Sequence, residues 1–170
     1  MAVSLARIER VGTESIPTVM RIERQPGYER LVGCWSLSQH NAALGDPGTA
    51  YLLGHDDDGP RGFAILCTLD DAHGNVLLKR IAVERAGEGF GRRFVEAVVD
   101  WVFATTAAHR LWLDVLAHND RAHHLYRAIG FTDDGIWRES YLTPNGERVS
   151  QLLMALLRPE WHARRRRTTE

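Results

Sequence analysis

The stretch ERAGEGFGRRF, Glu84 to Phe94, places glycines at 87, 89 and 91 and follows them with Arg92 and Arg93. It comes directly after the apolar run VLLKRIAV, Val76 to Val83. A glycine inside a regular element costs about 0.5–1 kcal/mol relative to alanine, so three at a junction imply backbone that turns sharply or must meet a ligand. A strand that passes through glycines into a helix can bind phosphate. Unpaired N–H groups and the positive end of the helix face the anion, and missing side chains let it approach. Arg92 and Arg93 fall in the first helical turn, where a cation is better tolerated beside an anion. Spacing alone leaves this reading level with a tight strand-to-helix turn carrying two solvated arginines.

Two further residues could move protons. Asp114 stands inside the apolar LWLDVL, where an unpaired carboxylate is costly to bury. It could bind an incoming ammonium and take its proton, or simply be satisfied by a neighbouring arginine or by solvent. Tyr126 falls on the apolar face of the next helix, the place of a core tyrosine on spacing alone. Glu84 and His118 are weaker candidates for a base. His123-His124 has no helical ligand spacing, so no metal is expected.

The elements that must position these residues follow from periodicity. SLARIERV (4–11) alternates as a strand. Ile16 to Arg24 reads as a helix with Pro17 in its first turn, and Ser36 to Leu44 as a second, short one. AYLLGH (50–55) and RGFAILCTL (61–69) flank the hairpin loop DDDGP, and His73 to Val83 is a long central strand. Phe90, Phe94, Ala97, Val98, Trp101, Val102 and Thr105 define the apolar face of a helix. RLWLDVLA (110–117) is a strand. Asn119 and Asp120 then start a helix that ends at Gly130. Strands near 136–142 and 149–157 enclose the turn TPNGE. The order β-α-α-β-β-β-α-β-α-β-β predicts an α/β fold, a mixed α+β sheet flanked by helices, in one domain over 1–158. Residues 159–170, with arginines at 164–167, are expected to be a disordered basic tail.

Other phosphate loops fit poorly. A P-loop needs Gly-Lys-Ser/Thr, and Arg92 follows Gly91. A dinucleotide fingerprint needs a third glycine where GEGFGR has arginine, and the antiparallel N-terminal elements suit that fold badly. GEGFG instead resembles the G-x-G-x-G core of GNAT-type N-acetyltransferases. NDRAHHLYRAIGF (119–131) is similar to that family's N-x-x-A-x-x-L-Y-x-x-x-G-F segment, and the element order agrees with its fold. RLWLDV and the ending LMALLRPEW look similar to the ribosomal-protein N-acetyltransferase-like branch.

The resemblance implies a central twisted mixed sheet of the GNAT type and an acetyl-CoA-dependent enzyme. Its acetyl group would pass to a primary amine, of a small molecule or a protein N-terminus, by direct attack in a ternary complex. The alternative it leaves open is a non-catalytic acyl-CoA-binding or regulatory domain. Acetyl-CoA would lie between splayed strands, Lys79 to Glu84 and Leu111 to Ala117. Its contacts would be the backbone of Ile81, Ala82 and Val83, the loop Glu88, Gly89, Phe90, Gly91, Arg92 and Arg93, and the side chains of Asn119 and Tyr126. The N–H groups near Ala82 and Val83 would face the carbonyl oxygen. Tyr126 would be the general acid, a phenol of ordinary pKa about 10 being close to an alkyl thiol, and Asp114 the base. The family usually has glutamine or arginine where this chain has Ala86, so a side-chain contact to the pyrophosphate is expected to be missing there.

Composition sets the remaining bounds. At 170 residues the chain can bury a core without staples. A formal net charge of −1 offers no general attraction to nucleic acid or membrane, and neither is expected as a partner. Cys34 and Cys67 lack CxxC spacing, and no signal peptide or apolar run of membrane length is visible, so a cytoplasmic setting with reduced thiols is expected. A homodimer is compatible with this reading.

Overall fold

The computed structural model describes residues 7 to 169. The first strand, β1 (Arg7–Val11), matches the alternating run from its fourth residue; Ser4 to Ala6 lie outside the described residues. A 3-10 turn leads into α1 (Ile16–Glu23), with Pro17 in the first turn, where its missing N–H has no partner to lose. The next helix, α2 (Leu37–Leu44), starts from a capping box. Ser36 accepts the Gln39 N–H, and the Gln39 side chain reciprocates at the Ser36 backbone.

Strands β2 (Ala50–Asp56), β3 (Gly59–Cys67) and β4 (Asn75–Val83) form an antiparallel meander with β1. A crossover through α3 (Phe90–Thr105) returns the chain to β5 (Arg110–Leu116), which lies parallel to β4. Then α4 (Asp120–Ile129) leads to the hairpin of β6 (Thr132–Leu142) and β7 (Arg148–Leu157). The sheet order is β1-β2-β3-β4-β5-β7-β6, a mixed sheet as the periodicity predicts.

Apolar side chains alternate to both faces of this sheet. Val19 and Ile22 of α1 pack on Tyr51, Leu53, Phe63 and Ile65. On the other face Phe94, Val98, Val102, Tyr126 and Ile129 pack on Leu52, Ala64, Leu111 and Leu113. The buried stripe of α3 is rotated from the predicted one. Val95, Val99 and Phe103 are buried, whereas Ala97 and Trp101 are half-buried and Thr105 is exposed.

The C-terminal residues cover Phe103 and correct the expectation of a disordered tail. They form α5 (Arg158–Thr169), which begins at Arg158-Pro159 and lies against α3. Trp161 packs on Phe103 with ring centroids 5.3 Å apart, and its Nε1 donates to Asp100 Oδ1 at 2.6 Å. Arg165 pairs with the other Asp100 oxygen at 2.8 Å. Arg158 donates to the carbonyls of Phe103, Thr106 and Ala108 at 2.7–2.8 Å, closing the C-terminal end of α3. An arginine run reads as solvated when seen alone; here Arg165 pairs with Asp100 and Arg164 donates to the Ala128 carbonyl at 3.0 Å.

Candidate active site

The parallel pairing of β4 and β5 is short. Asn75, Val76 and Leu77 pair with Arg110, Leu111 and Trp112, and there the register stops. Beyond it β4 stays on β3 as far as Val83, and β5 stays on β7 as far as Leu116. The cause is visible in the β3–β4 register: Ile65 pairs with Arg80 and Leu66 with Leu78, so Lys79 is a bulge. A bulge bends its strand and increases its twist. It falls two residues after the last β4–β5 pair and turns the end of β4 away. The strands therefore part after Leu77 and Trp112, slightly later on β5 than the sequence reading supposed.

Which β4 groups face the gap follows from the ladder. The Glu84 N–H donates to Arg61 O at 2.6 Å. Opposed residues in an antiparallel pair alternate between bonded and non-bonded. Ala82 and Phe63, two steps on, are therefore also a bonded pair, and the Ala82 backbone belongs to β3. The backbone groups of Ile81 and Val83 point the other way, into the gap. Val83 O confirms the direction by accepting hydrogen bonds from the Tyr28 hydroxyl and the Gln25 side-chain amide. Of the N–H groups expected to face a carbonyl, Val83 is so placed, together with Ile81, and Ala82 is not.

At the end of β4 the glycine loop turns into α3. Gly87 and Gly89 have φ of +105° and +83°, conformations L side chains rarely adopt. Gly89 is the N-cap of α3, and no side chain caps that end, so the first-turn N–H groups are not met by a capping side chain. A Cβ on Gly89 would meet nothing within 4 Å, which leaves the approach to this backbone open. Gly91 differs: it is helical, and a Cβ there would make an ordinary contact with Val83 at 3.6 Å. Neither turn geometry nor packing requires glycine at 91. A ligand laid on the first turn of the helix would.

The side chains around the loop have settled partners. Phe90 is buried and stacks on Phe94 at 5.8 Å, so Phe90 offers the gap its backbone alone. Glu88 pairs with Arg61 at 2.7 Å, and Arg92 with Glu96 at 3.0 Å. Arg93 lies exposed on the first turn, and Ala86 is exposed as well. These features fit an anionic pantetheine cofactor: bare backbone in a left-handed turn, a helix start without a side-chain cap, and two parallel strands that part.

Across the gap stand Tyr126 and Asp114. Tyr126 is buried on the inner face of α4, edge-on to Phe131 at 5.6 Å. Burial, reinforced by the Asp114 charge, pushes its phenol well above the ordinary value. Asp114 is half-buried on β5, and its carboxyl is pushed up by burial against the opposing pull of Lys79 and of a hydrogen bond donated by the Gln151 amide. The Asp114 charge thus acts on the Tyr126 phenol, and Lys79 and Gln151, which sequence reasoning missed, act on Asp114. Lys79 is the single lysine of the chain and Gln151 stands half-buried on β7; neither carries a spacing signal.

The weaker base candidates lie apart. Glu84 is ion-paired to Arg21, and His118 is exposed. Asn119 caps α4 by accepting the Ala122 N–H at 3.2 Å. His123 pairs with Asp133 and His124 with the Asp120 carbonyl. No cluster of three or more metal-ligating side chains occurs among the described residues. No described helix is long and apolar enough to cross a membrane.

On the sheet face opposite α3, the segment from α1 to α2 closes over β4 through a buried polar network. Glu23 is 2% exposed and His40 fully buried. Glu23 meets His40 Nε2 at 3.1 Å and Arg80 at 3.0 Å, and accepts the Trp35 N–H at 3.3 Å. Arg80 lies over the Trp35 ring at 4.6 Å. Glu23 is therefore already neutralised and unavailable to a cationic substrate, a use its residue type suggests. Tyr28 is likewise bound to Val83 O, and Glu29 holds the Gly27 N–H at 2.9 Å.

Comparison with known proteins is consistent with this geometry. The family model described as acetyltransferase (GNAT) family matches residues 16–131. A [ribosomal protein bS18]-alanine N-acetyltransferase of Haemophilus ducreyi is 32% identical over 117 residues, which are 66% of this chain and 78% of that one. A spermidine N(1)-acetyltransferase of Vibrio cholerae is 36% identical over 55 residues, 32% of each chain, so the matched stretch spans about a third of that relative. In fold, the dodecameric spermidine N-acetyltransferase from Vibrio cholerae superposes with a TM-score of 0.79 at 19% identity, over 94% of this chain and 98% of that one.

Proposed function

The chain belongs to the GNAT acetyltransferase family, and on that premise we propose that it transfers an acetyl group from acetyl-CoA to a primary amine by direct attack in a ternary complex. The observation that carries the reading is the gap between β4 and β5, closed at one end by the glycine turn and flanked by Tyr126 and Asp114. Acetyl-CoA, when bound, supplies the thioester whose acyl group is transferred. The N–H groups at the start of α3, Gly89 to Arg92, hold the pyrophosphate, and Arg93 adds positive charge beside them. The backbone of Ile81 and the Val83 N–H would hold the pantetheine arm as a neighbouring strand would, the Val83 N–H stabilising the acyl oxygen. The Val83 carbonyl is engaged by Tyr28 and Gln25. Asn119, in addition to capping α4, would contact the pantetheine or thioester end of the cofactor.

Tyr126 Oη keeps its proton across the neutral range because burial disfavours the phenolate, so a proton is available for the leaving sulfur at any working pH. Asp114 binds the incoming ammonium and accepts its proton. Its raised pKa makes it a better base than a solvated carboxylate, and Gln151 fixes the carboxylate plane.

The acceptor is best read as a single amine, of the class of a protein N-terminus. Glu23 is enclosed and charge-balanced, which leaves Asp114 as the carboxylate beside the gap. The outer face there carries Trp112 and Trp137, 6.1 Å apart, with Leu153 beside Asp114 in register, an apolar surface suited to an extended chain. Thiol release from acetyl-CoA is to be followed with an alanine-initiated peptide and with spermidine. The peptide is expected to show the higher kcat/KM; no thiol release with any amine would remove the catalytic reading.

Asp114→Asn is expected to lower kcat/KM by about 10²-fold, within the range for removal of a positioned base. It should also abolish the acid limb of the pH–rate profile, which in the parent rises as Asp114 ionises. The same variant carries a stability signature. A carboxyl whose folded pKa is raised contributes stability that is full below its unfolded value and lost as pH rises through the folded one. The Asp114→Asn protein should therefore match the parent in acid and exceed it above that range in urea melts. An unchanged acid limb excludes Asp114 as the base.

A further inference from the structure

The glycine loop lacks a side-chain cation at position 86, and the structure places one opposite it. Arg121 is the second residue of α4. Its Nη2 lies 3.8 Å from where a Cβ on Gly87 would stand, so the guanidinium reaches from one side of the gap to the turn on the other. The same group lies near Tyr28, whose phenol it holds down against the upward push of burial, and the Tyr28 hydroxyl is bonded to Val83 O. Arg121 thus sits where the turn, the last residue of β4 and the start of α4 converge.

Two neighbouring cations are committed elsewhere. Arg61 pairs with Asp56 and Glu88, and Arg92 with Glu96. No hydrogen bond or ion pair holds Arg121 among the described residues. A cation in the first turn of a helix is disfavoured by the helix dipole, and an anion beside it removes that penalty. The Asn119 cap fixes the turn from which Arg121 projects.

We propose that Arg121 pairs with the pyrophosphate of the bound cofactor, supplying from α4 the side-chain contact that Ala86 cannot supply from the loop. The proposal rests on the acetyl-CoA reading of the site. A guanidinium presents parallel N–H donors that match two phosphoryl oxygens, a match backbone N–H groups alone do not make.

The test is calorimetric titration of coenzyme A, 3′-dephospho-coenzyme A and pantetheine into the parent protein and Arg121→Gln. Charge-assisted hydrogen bonds of this kind predict a loss of about tenfold for coenzyme A and for its dephospho form alike, with pantetheine binding unchanged. The salt dependence of coenzyme A binding should become shallower, a readout that a packing role would not move. Adding Ala86→Gln to the Arg121→Gln protein should recover part of the loss; no recovery overturns the equivalence of the two positions. Equal coenzyme A affinity in Arg121→Gln and parent, or a loss confined to the form with the 3′-phosphate, overturns the assignment. If the parent itself binds no coenzyme A, the site reading fails, and the Arg121 assignment with it.

Discussion

Tyr126→Phe is expected to lower kcat by about 10²-fold while leaving coenzyme A affinity unchanged, since a positioned general acid contributes on the order of 10²–10⁴. The low end applies because burial raises the phenol pKa and makes Tyr126 a weaker donor than a solvated phenol. Its ring would remain edge-on to Phe131 and within the core formed by α4 and the sheet, so the variant should fold normally. Saturating both substrates isolates the chemical step, and a separate titration with coenzyme A isolates binding. The same pKa direction predicts that the parent shows no alkaline limb from Tyr126 up to about pH 10, the ordinary phenol value. Unchanged kcat in Tyr126→Phe would leave the residue as core packing alone.

Glu23→Ala is expected to destabilise the protein by about 3–5 kcal/mol, the cost of removing one partner from a buried charge pair. The Glu23 side chain is fully enclosed and Arg80 is only 10% exposed, so water cannot replace the lost carboxylate. His40 would lose its Nε2 partner as well, while its Nδ1 stays 2.7 Å from the hydroxyl of Tyr51, a phenol that burial pushes up to about 12 and so keeps neutral. A loss of this size is a large part of the roughly 5–15 kcal/mol that holds a typical domain together, so the single variant risks failing to fold. The double variant Glu23→Met with Arg80→Met removes both charges and should regain most of the loss, because apolar replacement of a whole buried pair is often tolerated. Urea unfolding measures both. A loss below about 1 kcal/mol for Glu23→Ala would show that solvent or another base compensates Arg80. Trp35, fixed by Glu23 at its N–H and by Arg24 at its carbonyl, should loosen in the single variant.

Much of this was legible in the chain because the signals are local. Ser36 and Asn119 cap helices by reaching residues three positions on, Gly130 closes α4, alternation marks the first strand, and apolar runs bounded by turns mark β2 and β3. The glycine turn was legible for the same reason: left-handed backbone at Gly87 and Gly89 is written in residue type. Partners distant in sequence were not legible. Asp100 looks like a surface acid of α3 until Trp161 and Arg165 arrive from the C-terminus, which is why those arginines read as a loose tail. Glu23 looks like an exposed carboxylate until His40 and Arg80 enclose it, 17 and 57 residues away.

By itself the sequence determined the order of elements as far as β7, the turn that lays bare the start of α3, and the two residues, Asp114 and Tyr126, whose chemistry suits proton transfer. The tertiary structure alone decided how they work together. A one-residue bulge at Lys79 shifts the β4 register, parts β4 from β5 and points Ile81 and Val83 into the gap while Ala82 stays with β3. The same folding sets Arg121 beside Gly87 and Gln151 on Asp114, contacts spanning about a fifth of the chain or more. Residue type and spacing fix what a segment can do locally; bulge, register and burial depend on which segments become neighbours, and that is settled by packing.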